Sequence, residues 1–360
     1  MKRIHKHEID TPALVLDLDL MEKNLATMAS FFSKQDTDLR PHVKTHKCPI
    51  IAHKQVDAGA IGITCAKLGE AEVMAQAGIQ NILIANQVIG ENKIARLVSL
   101  ARIAEVVVAV DDLGNVRQLS DAGVSAGIKL NVIIEIDVGM KRCGISVGPQ
   151  LISMAKAIRQ SPGLCFKGLM GYEGHAVFQP EESERKRVAA AANKTLVSAR
   201  DMLIAESIPV EIVSAGGTGT YKYAGTCPGI TDVQAGSYIV SDVRYHSLLP
   251  EFEQALTVLC TVISRTRPNA VITDAGLKAF STGWGLPAVK GRDDIEMLRL
   301  SEEHGIAKTV GPTCDIRLGD KLEMYVSHCC TAINLHDRYY AVRGDYLEAE
   351  WPILARGKGQ

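Results

Sequence analysis

The chain has no surplus of charge of either sign. Its 40 Lys and Arg stand against 41 Asp and Glu, a formal net charge of −1, so no basic field points to nucleic acid or to an anionic membrane. No apolar run reaches the roughly 18–20 residues of a transmembrane helix. The opening "MKRIHKHEID" lacks the apolar core of a secretory signal. The nine cysteines, at 48, 65, 143, 165, 227, 260, 314, 329 and 330, are odd in number and irregular in spacing. That argues against a disulfide framework, and the expected location is a reducing cytoplasm. Low-complexity linkers are missing as well, and the one repeat is an alternation of short apolar runs with longer amphipathic ones.

That alternation defines the fold class. With 360 residues the chain is long enough for one large domain or two. Strand-like runs fall near 39–43, 61–65, 82–85, 105–110, 130–136, 167–172, 211–214 and 231–235. Helical patterns lie between them; "LGEAEVMAQAG" carries Leu68, Ala71, Val73, Met74 and Ala77 at near-helical spacing, with Gly78 as a stop. Eight β/α units predict an α/β fold with a (β/α)8 barrel of TIM type over residues 19–247; a doubly wound open sheet is the competing reading. After 248 the texture changes to β-like runs broken by Gly, Pro and Asp, which predicts an all-β domain. "PALVLDLDL" is strand-like too, so residues 1–18 are expected to join 248–360 in that domain.

In such a barrel the chemistry sits at the C-terminal ends of the strands. Lys44 ends the first, within "LRPHVKTHK", where Arg40, His42, His46 and Lys47 are expected to depress its pKa from ~10.4. "EIDVGMKRCG" ends the fifth with Glu135, Asp137 and Arg142, and "GYEGH" the sixth with Tyr172 and His175. "SAGGTGT", residues 214–220, ends the seventh. Its backbone N–H groups can approach an anion closely, and "QAGSY" follows on the eighth. A lysine opposite a phosphate cradle fits pyridoxal phosphate held as a Schiff base; a solvated surface lysine and a flexible loop are the plainer readings. In "YVSHCCTAINLHD", a strand would project His328 and Cys330 from one face, an imidazole–thiolate pair of the kind that binds zinc, although two such residues also occur by chance.

Taken together these segments resemble the D-threonine aldolase and D-serine dehydratase family of fold-type III pyridoxal-phosphate enzymes, whose barrel is shared with alanine racemase. "TPALVLDLD", "RPHVKTHKCP", "EIDVGMKRCG", "AGGTGT", "QAGSY", "DAGLK", "EHG" and "SHCCTAINLHD" occur in the family's order across nearly the whole chain. The resemblance implies that Lys44 carries the cofactor, that Arg142 contacts its phenolic oxygen side and that Tyr172 lies by its ring. It implies that the turn from Ser214 through Gly216, Gly217, Thr218 and Gly219, with Gly236 and Ser237, surrounds the phosphate, and that Tyr238 borders it. His328 and Cys330 match the family's metal pair, for zinc or for manganese or magnesium. The implied activity is metal-assisted cleavage of D-3-hydroxy amino acids to glycine and an aldehyde or oxoacid, with dehydration as the alternative and pyridoxal-phosphate binding without turnover as an alternative of another class. His175 is the candidate base, and a homodimer is expected. Two positions depart from the aldolases: Cys330 stands where they have Asp and the family's dehydratases have Cys, and Phe178 stands where the aldolases have a histidine six residues after the tyrosine.

Overall fold

The fold was obtained as a computed structural model that describes residues 3–311 and 315–360; Cys314 lies outside the described residues. The chain divides into two compact units. One comprises Ala29–Lys44, Pro49–Gly236 and Lys358–Gln360, and the other Met1–Met28, Thr45–Cys48 and Ser237–Gly357. Among the described residues no helix is long and apolar enough to cross a membrane.

Strand β1 (Ala13–Asp17) belongs to the second unit. The first unit holds β2 (Asp38–Leu39), β3 (Ile63–Cys65), β4 (Asn81–Gln87), β5 (Glu105–Val110), β6 (Leu130–Glu135), β7 (Leu164–Met170), β8 (Ile212–Ala215) and β9 (Asp232–Val233). Among the described residues these form one parallel sheet in the order β2-β9-β8-β7-β6-β5-β4-β3. The two ends meet: His42 bridges Thr64, and Val43 N–H donates to the Thr64 carbonyl at 2.9 Å. The ring is therefore a barrel rather than an open sheet. All eight expected strands are present, but β2 is cut short because Pro41 has no N–H to give to a ladder.

The barrel strands read as apolar runs because a parallel strand between barrel interior and outer helices is buried on both faces. Val106 through Val110 are all buried. Leu83, Val107, Ala109, Ile133 and Met170 pack as one core cluster. The outer helices bury one stripe: Glu91–Leu100 turns Ile94, Leu97 and Leu100 inward. Helix Leu113–Ala126 starts where the Asp112 carboxylate accepts the Asn115 N–H, and stops at Gly127, whose φ of +67° suits a residue without Cβ.

The second unit adds β10 (Leu256–Ser264), β11 (Ala270–Thr273), β12 (Ala288–Val289), β13 (Ile295–Leu300), β14 (Gly305–Thr309), β15 (Lys321–Tyr325), β16 (Arg338–Arg343) and β17 (Tyr346–Pro352). β1 is inserted between β10, antiparallel, and β16, parallel, so the strand-like N-terminus does pair with the later strands. Its strand ends at Asp17, and the residues that follow form helix Leu18–Phe32. Ile9, Ala13, Val15, Leu259 and Val342 pack as one core cluster of this unit.

One local expectation is overturned. His328 and Cys330 do not lie on a strand: Cys329–Ile333 is a short helix with His328 as its N-cap. The β-branched Thr331 and Ile333 favour a strand locally. The buried carboxylate of Asp242 nevertheless accepts the Cys329 N–H at 3.0 Å, satisfying a donor that a helix start leaves open.

Candidate active site

In the first unit Lys44 sits in the turn that follows β2, half-buried, with its N–H 3.5 Å from His42 Nδ1. Its Nζ lies 5.6 Å from the centre of the Tyr172 ring, and Arg142 Cζ lies 5.6 Å from the same centre. Both are within reach of a cation–π attraction. Tyr172 follows β7, and Arg142 stands in the loop after β6. That loop is fixed by two carboxylates, one within it and one after β5. Asp137 Oδ1 accepts the N–H groups of Gly139 at 2.9 Å and Lys141 at 3.0 Å, and Asp111 accepts that of Gly144 at 2.9 Å. Arg142 Nη2 stands 3.8 Å from Glu135 Oε1, whose carboxyl is pushed above its usual range by burial. His175, on the four-residue helix Gly174–Val177, is exposed; a Cβ on Gly139 would stand 3.2 Å from its ring.

The expected cluster of cations around Lys44 is only partly there. Arg40 is buried, and its guanidinium reaches Asn81 and Asp232, the first residues of β4 and β9. It belongs to the opposite end of the barrel from Lys44. Ser214 shares that interior network: its hydroxyl donates to Asp232 and accepts from Gln234 Nε2 at 2.9 Å.

The glycine turn is shaped by its neighbours. Gly216 has φ +77°, and a Cβ on Gly217 would come within 3.0 Å of Tyr172 Cε2. One on Gly219 would meet Val177 Cγ1 at 2.6 Å. Thr218–Thr220 makes a single helical turn that runs into helix Tyr221–Gly225. Beneath it lies Glu173, which sequence reasoning passed over although it stands inside "GYEGH". Its carboxylate accepts the Thr220 hydroxyl at 2.5 Å and the Gly216 N–H at 3.3 Å, and burial raises its pKa. Gly236 is buried three residues after β9.

In the second unit His328 and Cys330 do come together, across a helix start rather than along a strand. A hydrogen bond from the Cys329 thiol, with further ones from His328 and Thr45, holds the Cys330 thiol well below its usual range, while burial drives that of Cys329 up. Cys330 Sγ is 3.3 Å from Thr45 Oγ1 and 3.6 Å from Ser237 Oγ. The Ser237 side chain thus faces the sulfur. Tyr238 is fully buried, its ring 5.7 Å from that of Phe252. The His328 ring stacks on Trp284, 3.5 Å between centroids and 9° between planes. Neither Trp284 nor Thr45 carried a signal in sequence, because the first lies in a loop and the second is a common residue beside a conspicuous lysine.

Residues 16–242 match the model of the alanine racemase N-terminal domain, and residues 255–342 that of a serine dehydratase domain. The chain belongs to the alanine racemase N-terminal domain family. Within this family it is 38% identical to a D-threonine aldolase of an Arthrobacter species, over 97% of this chain and 93% of that one. It is 37% identical to the 3-hydroxy-D-aspartate aldolase of Paracoccus denitrificans, over 98% and 93%. The crystal structure of D-threonine aldolase from Filomicrobium marinum superposes with a TM-score of 0.96 at 37% identity, covering 99% of this chain and 98% of that one. Alanine racemases themselves share the fold at lower identity, such as 18% for that of Bacillus anthracis.

Proposed function

We propose that the protein is a lyase that cleaves D-3-hydroxy amino acids to glycine and an aldehyde or oxoacid, using pyridoxal phosphate and a divalent metal. The observation that carries the reading is the set around Tyr172: the primary amine of Lys44, the guanidinium of Arg142 and a glycine turn whose Cβ-free Gly217 abuts the tyrosine ring. That set fits a phosphorylated aldehyde, with an amine for the carbonyl, an aromatic edge, and turn amides for the phosphate. The imidazole and the lowered thiol of His328 and Cys330 fit a soft divalent ion, zinc before manganese or magnesium.

When bound, pyridoxal phosphate would supply a sink for the electron pair left on the substrate Cα, and a metal held by His328 and Cys330 would supply a Lewis acid for the 3-hydroxyl. Lys44 would hold the cofactor through its primary amine. His175 takes the proton of the 3-hydroxyl, the Cα–Cβ bond breaks, and the carbonyl product leaves. Lys44 Nζ then delivers a proton to Cα, completing glycine. Arg142 and the glycine turn orient the cofactor, and Glu173 keeps the turn in shape.

The thiol at 330 favours a second reading, loss of the hydroxyl to give an oxoacid and ammonia. The protein is further expected to act as a cytoplasmic homodimer on a small-molecule D-amino acid. Lys44→Ala should abolish glycine release from D-threonine. Borohydride reduction of wild type should leave a pyridoxyl group on the Lys44 peptide. A label on another lysine, or none, would overturn the reading.

A further inference from the structure

Residues 279–285, the loop between β11 and β12, grip the segment bearing the metal pair from one side. Ser327 Oγ donates to the Ser281 carbonyl at 2.9 Å, and Thr331 Oγ1 donates to Ser281 Oγ at 2.6 Å. His336 Nε2 lies 2.9 Å from the Ala279 carbonyl. These contacts fall on both sides of His328, and between them the Trp284 indole lies flat on the imidazole. The indole is itself bounded by Arg244, with Cζ 5.4 Å from its ring centre, and by the edge of Tyr245 at 5.8 Å. We propose that Trp284 is a positioning residue for the metal: it fixes the orientation of the His328 ring by stacking on its face.

The backbone of His328 is set by its place as N-cap, with φ −143° and ψ 105°. Two side-chain torsions remain, and the ring torsion is the broad one. A ligand must present a ring nitrogen in a fixed direction, and loss of a group that holds it so typically costs about 10–100-fold in metal affinity. A face-to-face contact at 3.5 Å and 9° removes ring rotation while leaving the ring edge, where both nitrogens lie, uncovered by the indole. Core packing explains the tryptophan poorly. It is only partly buried and stands between Gly283 and Gly285 in a loop, outside every strand of the sheet.

This inference rests on the reading that His328 and Cys330 hold the metal, and the test separates the two. Zinc-loaded holoenzyme is titrated with a chelator of known affinity, for wild type, Trp284→Ala, Trp284→Leu, Trp284→Phe, His328→Ala and Cys330→Ala, with unfolding midpoints and cofactor absorbance recorded in parallel. Trp284→Ala and Trp284→Leu should weaken zinc about 10-fold with faster release, the lower end of the usual effect of an outer-shell change. Trp284→Phe, which keeps an aromatic face, should recover most of that loss, and the cofactor band should not move. Leucine fills the space without a ring, so it keeps the test valid should alanine loosen the loop. If His328→Ala loses zinc while Trp284→Ala and Trp284→Leu hold it as wild type does, the positioning role is wrong and the metal pair stands. If His328→Ala and Cys330→Ala both keep zinc, the metal reading fails and this inference with it.

Discussion

Glu173 holds the glycine turn in shape from a buried position. It is 1% exposed, and its two oxygens receive the Thr220 hydroxyl and the Gly216 N–H. Glu173→Ala leaves the Gly216 N–H without that acceptor inside the unit, which costs about 1–3 kcal/mol before any cavity is counted. Glu173→Gln behaves differently. Its amide oxygen can accept from Gly216, and its NH2 can donate to Thr220 Oγ1, because the Thr220 proton has a second acceptor in the Gly217 carbonyl at 3.4 Å. The amide variant should therefore lose under ~1 kcal/mol. It also removes a titration. Burial raises the folded-state pKa of Glu173 above the ordinary 4.5, so the folded protein holds the proton more tightly than the unfolded chain. The stability this gives is fully present below pH 4.5 and is lost as pH rises through the raised value, at about 1.4 kcal/mol per unit of elevation. Urea unfolding of wild type, Glu173→Gln and Glu173→Ala across that window measures all of this. Wild type should lose ground to Glu173→Gln as pH rises, with Glu173→Ala the least stable throughout. A gap between wild type and Glu173→Gln that stays flat with pH, or an alanine variant as stable as wild type, would refute the reasoning.

Two further outcomes are expected. Arg40→Met strands the buried Asp232 carboxylate and should cost about 3 kcal/mol in urea unfolding, the low end for a broken buried pair, since the hydroxyls of Ser214 and Thr231 still donate to it; a loss under ~1 kcal/mol would mean that the pair is not what holds that end of the barrel. Cys330→Asp replaces a soft donor with a hard one, so zinc affinity should fall and activity should come to depend on manganese or magnesium, read by metal-supplemented assays; unchanged preference for zinc would show that the sulfur does not set metal choice.

Much of the barrel was legible because its physics is local. A strand buried on both faces must be apolar throughout, and Glu105–Val110 or Leu130–Glu135 can be read directly as such. The glycine turn was legible for the same reason, since Gly216 adopts a conformation few other residues tolerate. What escaped depends on partners far along the chain. Thr331 and Ile333 speak for a strand, but a carboxylate 87 residues earlier caps them into a helix. Arg40 and Lys44 both follow β2, yet the Arg40 guanidinium reaches back to Asn81 and Asp232 at the starts of β4 and β9, away from Lys44. Glu173 stood in a quoted motif, but a glutamate beside a tyrosine does not announce that both its oxygens will be buried. The Trp284 stack is set by two segments more than 40 residues apart in number, and nothing in either fixes the meeting.

The proposed reaction breaks the Cα–Cβ bond. The most direct measurement is to incubate the metal-loaded holoenzyme with D-threonine and with D-3-hydroxyaspartate and to quantify glycine and ammonia from the same reaction. Retro-aldol cleavage predicts one glycine for each substrate consumed, an equal amount of acetaldehyde or glyoxylate, and no ammonia. Ammonia and an oxoacid in equal amounts, without glycine, would contradict it and make the thiol at Cys330 the better guide to the reaction.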